Sequence, residues 1–384
     1  LKRCTKRSVR SFPMDFEKRR KALRDALRKE PTEGPPNVRI LEASVVGGLF
    51  SAGEAVLWEK LQLCPSRKEG AFNLLVARPT ACVRTPAILL MHPTGKCKEF
   101  MVEMMERWAR KGFLAIAFDA PYHGERAVPH AGLKDLSLAG LGPAQVKEIS
   151  MTESGRLKIY FDALTRGWHN GTERYVMDIA RDALWVMDYL AFRPDVLQER
   201  IGVTGVSLGG MATWLLAAAD ERVYAAAPAI GVQSFHHAVE HDLWQARVES
   251  VLPTFEKAAS EMGKTKIDKE VVKAVWAKIA PGLAEVDPSV KDAFDAPLTL
   301  PCIAPRHLLV VNGEKDPRCP LEGVHLALAE TEKAYQRLGE ERFSVYIQEG
   351  VAHAMTKKMW EKVEDFFTVT LCNSNGKRSK RSQL

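Results

Sequence analysis

The stretch Ile201–Ala219, IGVTGVSLGGMATWLLAAA, contains the turn that decides the fold. Its first part, IGVTGV, is rich in β-branched residues and nearly free of polar side chains, as is typical of a strand buried on both faces. A helix-like run of Met, Ala, Trp and Leu follows almost at once. Between the two, Ser207 is flanked by Gly205, Gly209 and Gly210. This pattern predicts a strand-to-helix turn so tight that only glycine fits beside its apex.

Apolar runs alternate with helical patterns along most of the chain. Three extended runs come first with little helix between them, and we expect antiparallel strands at 38–46, 55–63 and 72–79. Further strands are predicted at 86–92, 113–119, 201–206, 223–231, 307–313 and 343–349. Helices are expected over 99–111, over 175–191, from Leu208 onward and after the last two strands. This alternation predicts an α/β fold with a mostly parallel central sheet and helices on both faces.

Two long segments, 124–174 and 232–300, follow strand ends and interrupt this alternation. In an open α/β sheet such segments emerge at the carboxyl edge, where ligands bind. We therefore expect helical excursions that cover the site, inside a single domain at 38–371. A basic arm with a short helix is predicted at 1–37, and a basic disordered tail at 372–384.

The distribution of charge argues against a nucleic-acid partner. The net charge is +7, but residues 1–29 hold 12 basic and 3 acidic side chains, and the residues from 373 onward hold 4 basic and no acidic ones. Residues 30–372 hold 39 basic against 45 acidic side chains, so the body offers no basic face. We expect both ends to be solvated, mobile peptide. No apolar run approaches the roughly 18 residues that a membrane span requires.

The seven cysteines are odd in number and scattered, which predicts reduced thiols and a cytoplasmic protein. Organellar and peroxisomal locations are the alternatives. The basic, acid-free stretch 1–14 has the composition of a trimmed transit peptide. The residues Ser382, Gln383 and Leu384 differ from the peroxisomal S-K-L signal at the middle position. The oligomeric state is left open.

Ser207 needs a base beside it and an orienting group behind that base before its hydroxyl can attack anything at neutral pH. Asp316 follows the predicted strand 307–313, and His353 follows the predicted strand 343–349. The order Ser, acid, His along the chain is the one that this architecture requires. We therefore expect all three side chains to meet at the carboxyl edge of the sheet, with Glu314 as a second candidate for the acid.

Acyl transfer also needs hydrogen-bond donors for the oxyanion. The backbone N–H of Leu208, the residue after the serine, is the first candidate. The second is expected from the loop HPTGKCKE after the strand 86–92. Pro93 has no N–H, so we predict that Thr94 is the donor.

From about residue 38 to residue 371 the chain resembles an α/β-hydrolase of the dienelactone hydrolase and acetyl xylan esterase type, with prolyl-oligopeptidase-like serine peptidases as neighbours. Five motifs in the same order carry the resemblance: HPTGKCKE, DAPYHGER, GVSLGG, GEKDPRCP and GVAHAMT. The resemblance implies Ser207 as nucleophile, Asp316 as acid, His353 as base, and Thr94 with Leu208 as oxyanion donors. It implies a small-molecule ester or acyl substrate and no cofactor or metal.

Other functions stay open at this point. The same residues would serve a serine peptidase of the prolyl-oligopeptidase type, and the fold also accommodates small-molecule receptors that hydrolyse slowly. The stretch HHAVEH places His237, Glu240 and His241 in the H-x-x-E-H pattern of inverted zinc peptidases. That pattern makes zinc chemistry a rival hypothesis, although histidines at this spacing on a polar helix are usually solvated.

Some polar and aromatic residues near the predicted site have structural explanations. We expect His92 and His123 to brace loops, and Asp119 to cap or brace the turn beside its strand. Trp168 and His169, in the stretch TRGWHNG, are equally compatible with lining a substrate pocket and with packing.

Overall fold

The computed structural model describes residues 15–28, 36–46, 55–65, 70–80, 84–127 and 152–372. The segments 1–14 and 382–384, on which the targeting predictions rest, lie outside these ranges, as do residues 128–151 of the first excursion. Within the described ranges no helix combines the length and the apolarity needed to cross a membrane.

Every predicted strand is present, and the strands form one nine-stranded sheet. In chain order they are β1 (Asn37–Val46), β2 (Val56–Cys64), β3 (Phe72–Pro79), β4 (Thr85–Met91), β5 (Leu114–Phe118), β6 (Val196–Val206), β7 (Val223–Ala229), β8 (His307–Gly313) and β9 (Phe343–Gln348). The order across the sheet is β1-β2-β3-β5-β4-β6-β7-β8-β9. The pairs β1–β2, β2–β3 and β3–β5 are antiparallel and all later pairs are parallel. The predicted antiparallel start and parallel main body are confirmed.

The described residues also form twelve α-helices. In chain order they are α1 (Phe16–Leu27), α2 (Val102–Ala109), α3 (Glu153–Asn170), α4 (Tyr175–Phe192), α5 (Leu208–Ala219), α6 (Phe235–Glu240), α7 (Gln245–Glu249), α8 (Leu252–Glu261), α9 (Lys269–Ile279), α10 (Ala296–Thr299), α11 (Leu321–Leu338) and α12 (Lys357–Cys372). Short 3₁₀ turns occur at Lys98–Met101, Gly124–Ala127 and Leu300–Ile303. The predicted helices after β4, before β6, after Ser207 and after the last two strands are confirmed.

The core lies in two layers because successive side chains of a strand point to opposite faces of the sheet. Leu89 of β4 belongs to the layer that contains α4, α5 and α11, whereas its neighbour Leu90 belongs to the other layer. In that second layer Trp108 of α2 packs edge-on against Phe367 of α12, with 5.7 Å between ring centroids. Burial of side chains of this size stabilises the fold by about 1.5–3 kcal/mol each. The predicted helical cover on both faces is therefore present.

The short helix predicted in the N-terminal arm is present as α1, but it packs on the body and is not part of a mobile arm. Asp15 caps its first turn, and Leu23 and Leu27 are fully buried against the body. Arg19 is only 7% exposed. Its guanidinium donates to four backbone carbonyl groups at 2.7–3.1 Å, those of Pro288, Val290, Lys291 and Ala293. The expectation of solvated peptide is thus wrong for residues 16–28, because their arginines bind carbonyl oxygens that no local sequence pattern reveals.

Candidate active site

Ser207 lies at the turn between β6 and α5 with φ 54° and ψ −107°, a backbone conformation that residues other than glycine seldom adopt. Its N–H donates to the carbonyl oxygen of Ala229 at 2.9 Å, which fixes the turn against β7. A Cβ atom at Gly209 would overlap the carbonyl group of Met91, and one at Gly205 would overlap the carbonyl group of Gly209. The predicted requirement for glycine beside the apex is confirmed.

The structure brings Ser207, His353 and Asp316 into one hydrogen-bonded chain. The Oγ of Ser207 lies 2.7 Å from Nε2 of His353. Nδ1 of His353 lies 2.9 Å from Oδ1 and 2.7 Å from Oδ2 of Asp316. Since an ionised carboxylate only accepts hydrogen bonds, Nδ1 carries the proton and Nε2 is free to accept from the serine hydroxyl. The three side chains come from the ends of β6, β8 and β9, as the sequence predicts.

The two candidate acids have different surroundings. Asp316 is 2% exposed, and its Oδ1 accepts from the backbone N–H groups of Arg318 at 2.8 Å and Cys319 at 3.1 Å. Glu314 is exposed, and its Oε2 accepts from the N–H of Gly350 at 2.8 Å. Asp316, not Glu314, is therefore the carboxylate that contacts the imidazole.

His353 is held in its neutral form by its surroundings. Burial lowers its pKa, the hydrogen bond and charge of Asp316 raise it, and the guanidinium groups of Arg247 and Arg318 lower it again. The net result is a pKa below the usual value for histidine. A neutral imidazole with a free Nε2 can accept a proton from a serine hydroxyl.

A cavity of about 260 Å³ opens beside these residues. The cavity is lined by the serine, the histidine and mainly apolar residues at the carboxyl ends of β4, β6, β7, β8 and β9, and by one residue from each of the helical segments that follow β4 and β9. The lining residues are Pro93, Thr94, Phe100, Val206, Ser207, Ile230, Arg318, His353, Ala354, Met355 and Trp360. Sequence reasoning did not identify Phe100, Met355 and Trp360 as lining residues. The first excursion approaches this cavity through α3, where Leu157 packs against Gly95 and Glu153 pairs with Lys96 at 2.7 Å.

The two predicted oxyanion donors occupy suitable places. Thr94 lines the cavity together with Ser207. Leu208 is the first residue of α5, where the initial N–H groups of a helix have no intrahelical acceptor. These positions are compatible with both predicted donors.

A buried ion pair holds the loop that carries Thr94. Asp119 accepts from the backbone N–H of Lys98 at 2.8 Å and from its Nζ at 2.9 Å, and also from the N–H of Glu125 at 3.0 Å. Burial alone would lower the pKa of Lys98, but the carboxylates of Asp119 and Glu99 hold it above its usual value. The predicted bracing role of Asp119 is confirmed, and Lys98 is its partner.

His92 and His123 also act as braces. Nε2 of His92 accepts from the N–H of Ala120 at 2.9 Å, and its Nδ1 lies 2.9 Å from the carbonyl oxygen of Pro93. Burial lowers the pKa of His92 to about 4 and that of His123 to about 3. Both rings are therefore neutral at physiological pH. Nδ1 of His123 lies 2.9 Å from the carbonyl oxygen of Pro121, so this ring, like that of His92, contacts the loop after β5 as expected.

Trp168 and His169 lie outside the cavity lining. The indole Nε1 of Trp168 donates to Glu261 at 2.8 Å, and Nε2 of His169 lies 3.0 Å from the same carboxylate. Of the two explanations left open by the sequence, the structure supports the contact between α3 and α8 rather than a pocket wall.

The H-x-x-E-H pattern is not arranged as a metal site. Helix α6 ends at Glu240, and the ring of His241 stacks on that of His237 with 3.9 Å between centroids. The carboxylate of Glu240 binds the ammonium groups of Lys269 at 3.0 Å and Lys273 at 2.7 Å. The two ammonium groups beside the Glu240 carboxylate would repel a zinc ion, so this geometry gives the zinc hypothesis no support.

A family model described as the dienelactone hydrolase family matches residues 72–289. This chain belongs to the dienelactone hydrolase family. It is accordingly a hydrolase, and its nine-stranded sheet and serine turn are those of the α/β-hydrolase fold. The match runs from β3 into the second excursion, and thus includes Thr94, Ser207 and Leu208.

Solved structures share this fold across nearly the whole chain. Acetyl Xylan Esterase 1 from Thermoanaerobacterium sp. JW/SL YS485 has 16% identity and a TM-score of 0.60, and the match covers 93% of this chain and 94% of that one. An acetyl xylan esterase from Paenibacillus sp. R4 has 16% identity and a TM-score of 0.59, with 94% and 96% covered. A glucuronoyl esterase from Solibacter usitatus has 15% identity and a TM-score of 0.53, with 92% and 91% covered.

A curated relative matches over a short stretch only. YtaP of Bacillus subtilis (strain 168) is 45% identical over 42 residues, which are 11% of this chain and 14% of YtaP. The chain therefore matches about one seventh of the length of this relative.

Proposed function

We propose that this member of the dienelactone hydrolase family is a serine hydrolase that cleaves carboxylic esters through an acyl-enzyme on Ser207. The observation that carries the proposal is the hydrogen-bonded chain from Ser207 through His353 to Asp316, which ends at the wall of a cavity. A serine held at a strained turn, a neutral imidazole and a buried carboxylate are the parts that nucleophilic acyl transfer needs.

The proposed reaction proceeds in two halves. Ser207 attacks the ester carbonyl carbon while Nε2 of His353 takes the hydroxyl proton and then passes it to the departing alcohol. Asp316 holds the imidazole in the required tautomer and stabilises the imidazolium. A water molecule, deprotonated by the same imidazole, then attacks the acyl-enzyme, and the acid is released. The N–H groups of Leu208 and Thr94 would bind the oxyanion in both halves.

The dimensions of the cavity support a small substrate. About 260 Å³ is below the usual range of roughly 300–1,000 Å³ for sites that bind drug-sized ligands. A short acyl group such as acetyl fits that space, and two of the structurally similar proteins are named acetyl xylan esterases. We therefore propose a short-chain ester of a small molecule in preference to a peptide.

The test is the variant Ser207→Ala assayed on 4-nitrophenyl acetate. We expect turnover to fall by about 10⁴-fold or more, because loss of the nucleophile removes the covalent route. Thermal unfolding should change little, since the hydroxyl fills no core volume. In the wild-type protein a fluorophosphonate should inactivate the enzyme, and peptide mapping should find the adduct on Ser207.

Three results would contradict the proposal. One is more than a tenth of wild-type turnover in the alanine variant. Another is activity that a chelator removes and zinc restores, which would redirect attention to His237, Glu240 and His241. The third is cleavage of acyl-peptides at a higher kcat/KM than any ester of a matched panel, which would identify a peptidase.

A further inference from the structure

Arg247 contacts the loop that follows Asp316. It belongs to α7 of the second excursion and is only 4% exposed. Its Nη2 donates to the carbonyl oxygen of Arg318 at 2.9 Å and lies 3.4 Å from Sγ of Cys319. The two contacted residues lie two and three positions after the triad acid in sequence.

The carbonyl group of Arg318 has a second donor from the same excursion. With its amide nitrogen facing that oxygen, Gln233 donates to it at 2.6 Å and accepts from Nε of Arg247 at 3.1 Å. The N–H of Arg318 donates in turn to Asp316. The loop between the acid and Cys319 is therefore held from one side by the carboxylate of Asp316 and from the other by Arg247 and Gln233.

The positive charge of Arg247 has no carboxylate in contact with it among the residues that the structure describes. Its neighbours are the Arg318 carbonyl group, the Gln233 amide, the Cys319 thiol and the hydroxyl group of Tyr175 from α4. The same charge lowers the pKa of the Tyr160 hydroxyl in α3, against the larger effect of burial, which raises it. A buried cation without a paired anion is costly, and its field extends to the next ionisable groups.

Those next groups are the acid and the base of the triad. Asp316 is among the groups that raise the pKa of Arg247, after burial, which lowers it. In return, Arg247 is one of two guanidinium groups, with that of Arg318, that lower the pKa of His353 against the opposite effect of Asp316. The charged groups that act on the pKa of the imidazole are thus Asp316, Arg247 and Arg318.

We infer that Arg247 is a positioning residue for the reaction at Ser207: through the Arg318 peptide it holds the loop that carries Asp316, and it places a fixed positive charge beside that loop. The inference rests on the proposed serine hydrolase function. It assigns to the second excursion a part in catalysis that needs no contact with substrate. It also explains why a bidentate side chain stands there, since one guanidinium reaches the carbonyl oxygen and the amide oxygen at once.

The test compares Arg247→Met, Arg247→Lys and wild type in the full chain, with 4-nitrophenyl acetate as an uncharged substrate. In the methionine variant we expect kcat to fall by about 10- to 100-fold as the acid loop loses its anchor. The acid limb of the kcat/KM profile should move to higher pH by about half a unit or more, because the imidazole loses a neighbouring cation. In the lysine variant kcat should also fall, but the acid limb of the kcat/KM profile should stay at its wild-type pH, because the positive charge is kept.

Arg306 provides the matched control. Its guanidinium is partly buried and also donates to backbone carbonyl groups, those of Ala217, Asp220, Val223 and Cys302, but to none in the loop from Asp316 to Cys319. Arg306→Met should lower the unfolding temperature and leave the pH limb in place. An unmoved limb in Arg247→Met, or an equal shift in Arg306→Met, overturns the inference.

Two further measurements keep the inference testable if the first variant or the assay fails. If Arg247→Met does not fold, Arg247→Lys decides: a kcat at least tenfold below wild type supports the inference, and wild-type kcat contradicts it. If the wild-type protein cleaves no ester, the proposed function fails separately. The low-field NMR resonance of the His353 Nδ1 proton, titrated in wild type and in Arg247→Met, then reports the electrostatic effect without turnover, and equal midpoints overturn it.

Discussion

Asp316 and Glu314 lie two residues apart after β8, yet their carboxylates have different partners. Asp316 lies within 2.7 Å of His353 Nδ1, whereas Glu314 binds the backbone N–H of Gly350. Asp316→Asn should lower turnover by about 10⁴-fold, because an amide can donate to Nδ1 and so favours the wrong histidine tautomer. Steady-state kinetics of the purified variants on a short-chain ester measure this effect.

Glu314→Gln is the matched control, because it removes a negative charge from the same loop without touching the imidazole. We expect it to cost less than tenfold in kcat. Should the two effects come out exchanged, the acid of the triad would be Glu314, and the contact seen between Asp316 and His353 would not be the one used in catalysis.

The pH dependence follows from the surroundings of His353. Its pKa lies below the usual value of about 6.5, chiefly because the ring is buried. The reaction requires the neutral imidazole, so activity is present above the folded-state pKa and is lost as the pH falls through it. The midpoint of the acid limb of kcat/KM should therefore lie below about pH 6.5. A midpoint near or above 7 would show that the negative charge of Asp316 outweighs burial and the two guanidinium groups.

At the scale of elements, the sequence was informative wherever the signal was local. Apolar runs of five to ten residues predicted every strand, and glycines around Ser207 predicted the turn, because a buried strand and a tight corner each impose their own residue types. The bounds of helix α3 inside the first excursion were not predicted, because its hydrophobic stripe is interrupted by polar residues that contact α8 and the Thr94 loop. The contacts of Arg19 and Arg247 were also missed, because a guanidinium that binds distant carbonyl groups leaves no periodic pattern.

Helix α1 provides an element-scale prediction. Arg19→Met should remove four hydrogen bonds to carbonyl groups of residues 288–293, of which only that of Val290 keeps another backbone donor within the described part of the chain, at a cost of about 2–4 kcal/mol. Urea unfolding measures the change in free energy. Lys21→Met on the exposed face of the same helix is the control and should change stability by less than about 0.5 kcal/mol. Equal stabilities of the two variants would mean that α1 does not hold the second excursion.

At the scale of the whole molecule, the carboxyl edge of the sheet brings together residues that lie 146 positions apart in the sequence. The order of the motifs and the rule that parallel strands end at one edge were sufficient to place Ser207, Asp316 and His353 together. The size of the cavity was not predictable, because it depends on how Phe100, Met355 and Trp360 pack from three separate loops and helices. Substrate preference depends on that packing, and it has to be measured on a panel of esters with different acyl and alcohol groups.

The reactivity of the cysteine thiols reports how readily solvent reaches the interior of the native protein. The five described ones are free thiols: Cys302 and Cys319 are fully buried in the same core layer, Cys64 and Cys97 are partly buried, and Cys372 is exposed. Burial raises the pKa of the Cys302 thiol to about 12, so it reacts slowly even where solvent enters briefly.

Iodoacetamide should therefore modify Cys372 in the native protein within minutes, and Cys302 and Cys319 only after unfolding in urea. Mass spectrometry of tryptic peptides measures both rates, and a reducing agent should leave the unfolding temperature unchanged, since the described thiols form no disulfide. Cys319 is the informative position, because its thiol contacts both Arg247 and the carbonyl group of Ile230. Native-state modification of Cys319 at the rate of Cys372 would mean that the second excursion opens away from Asp316, and the anchoring of that loop by Arg247 would then hold only part of the time.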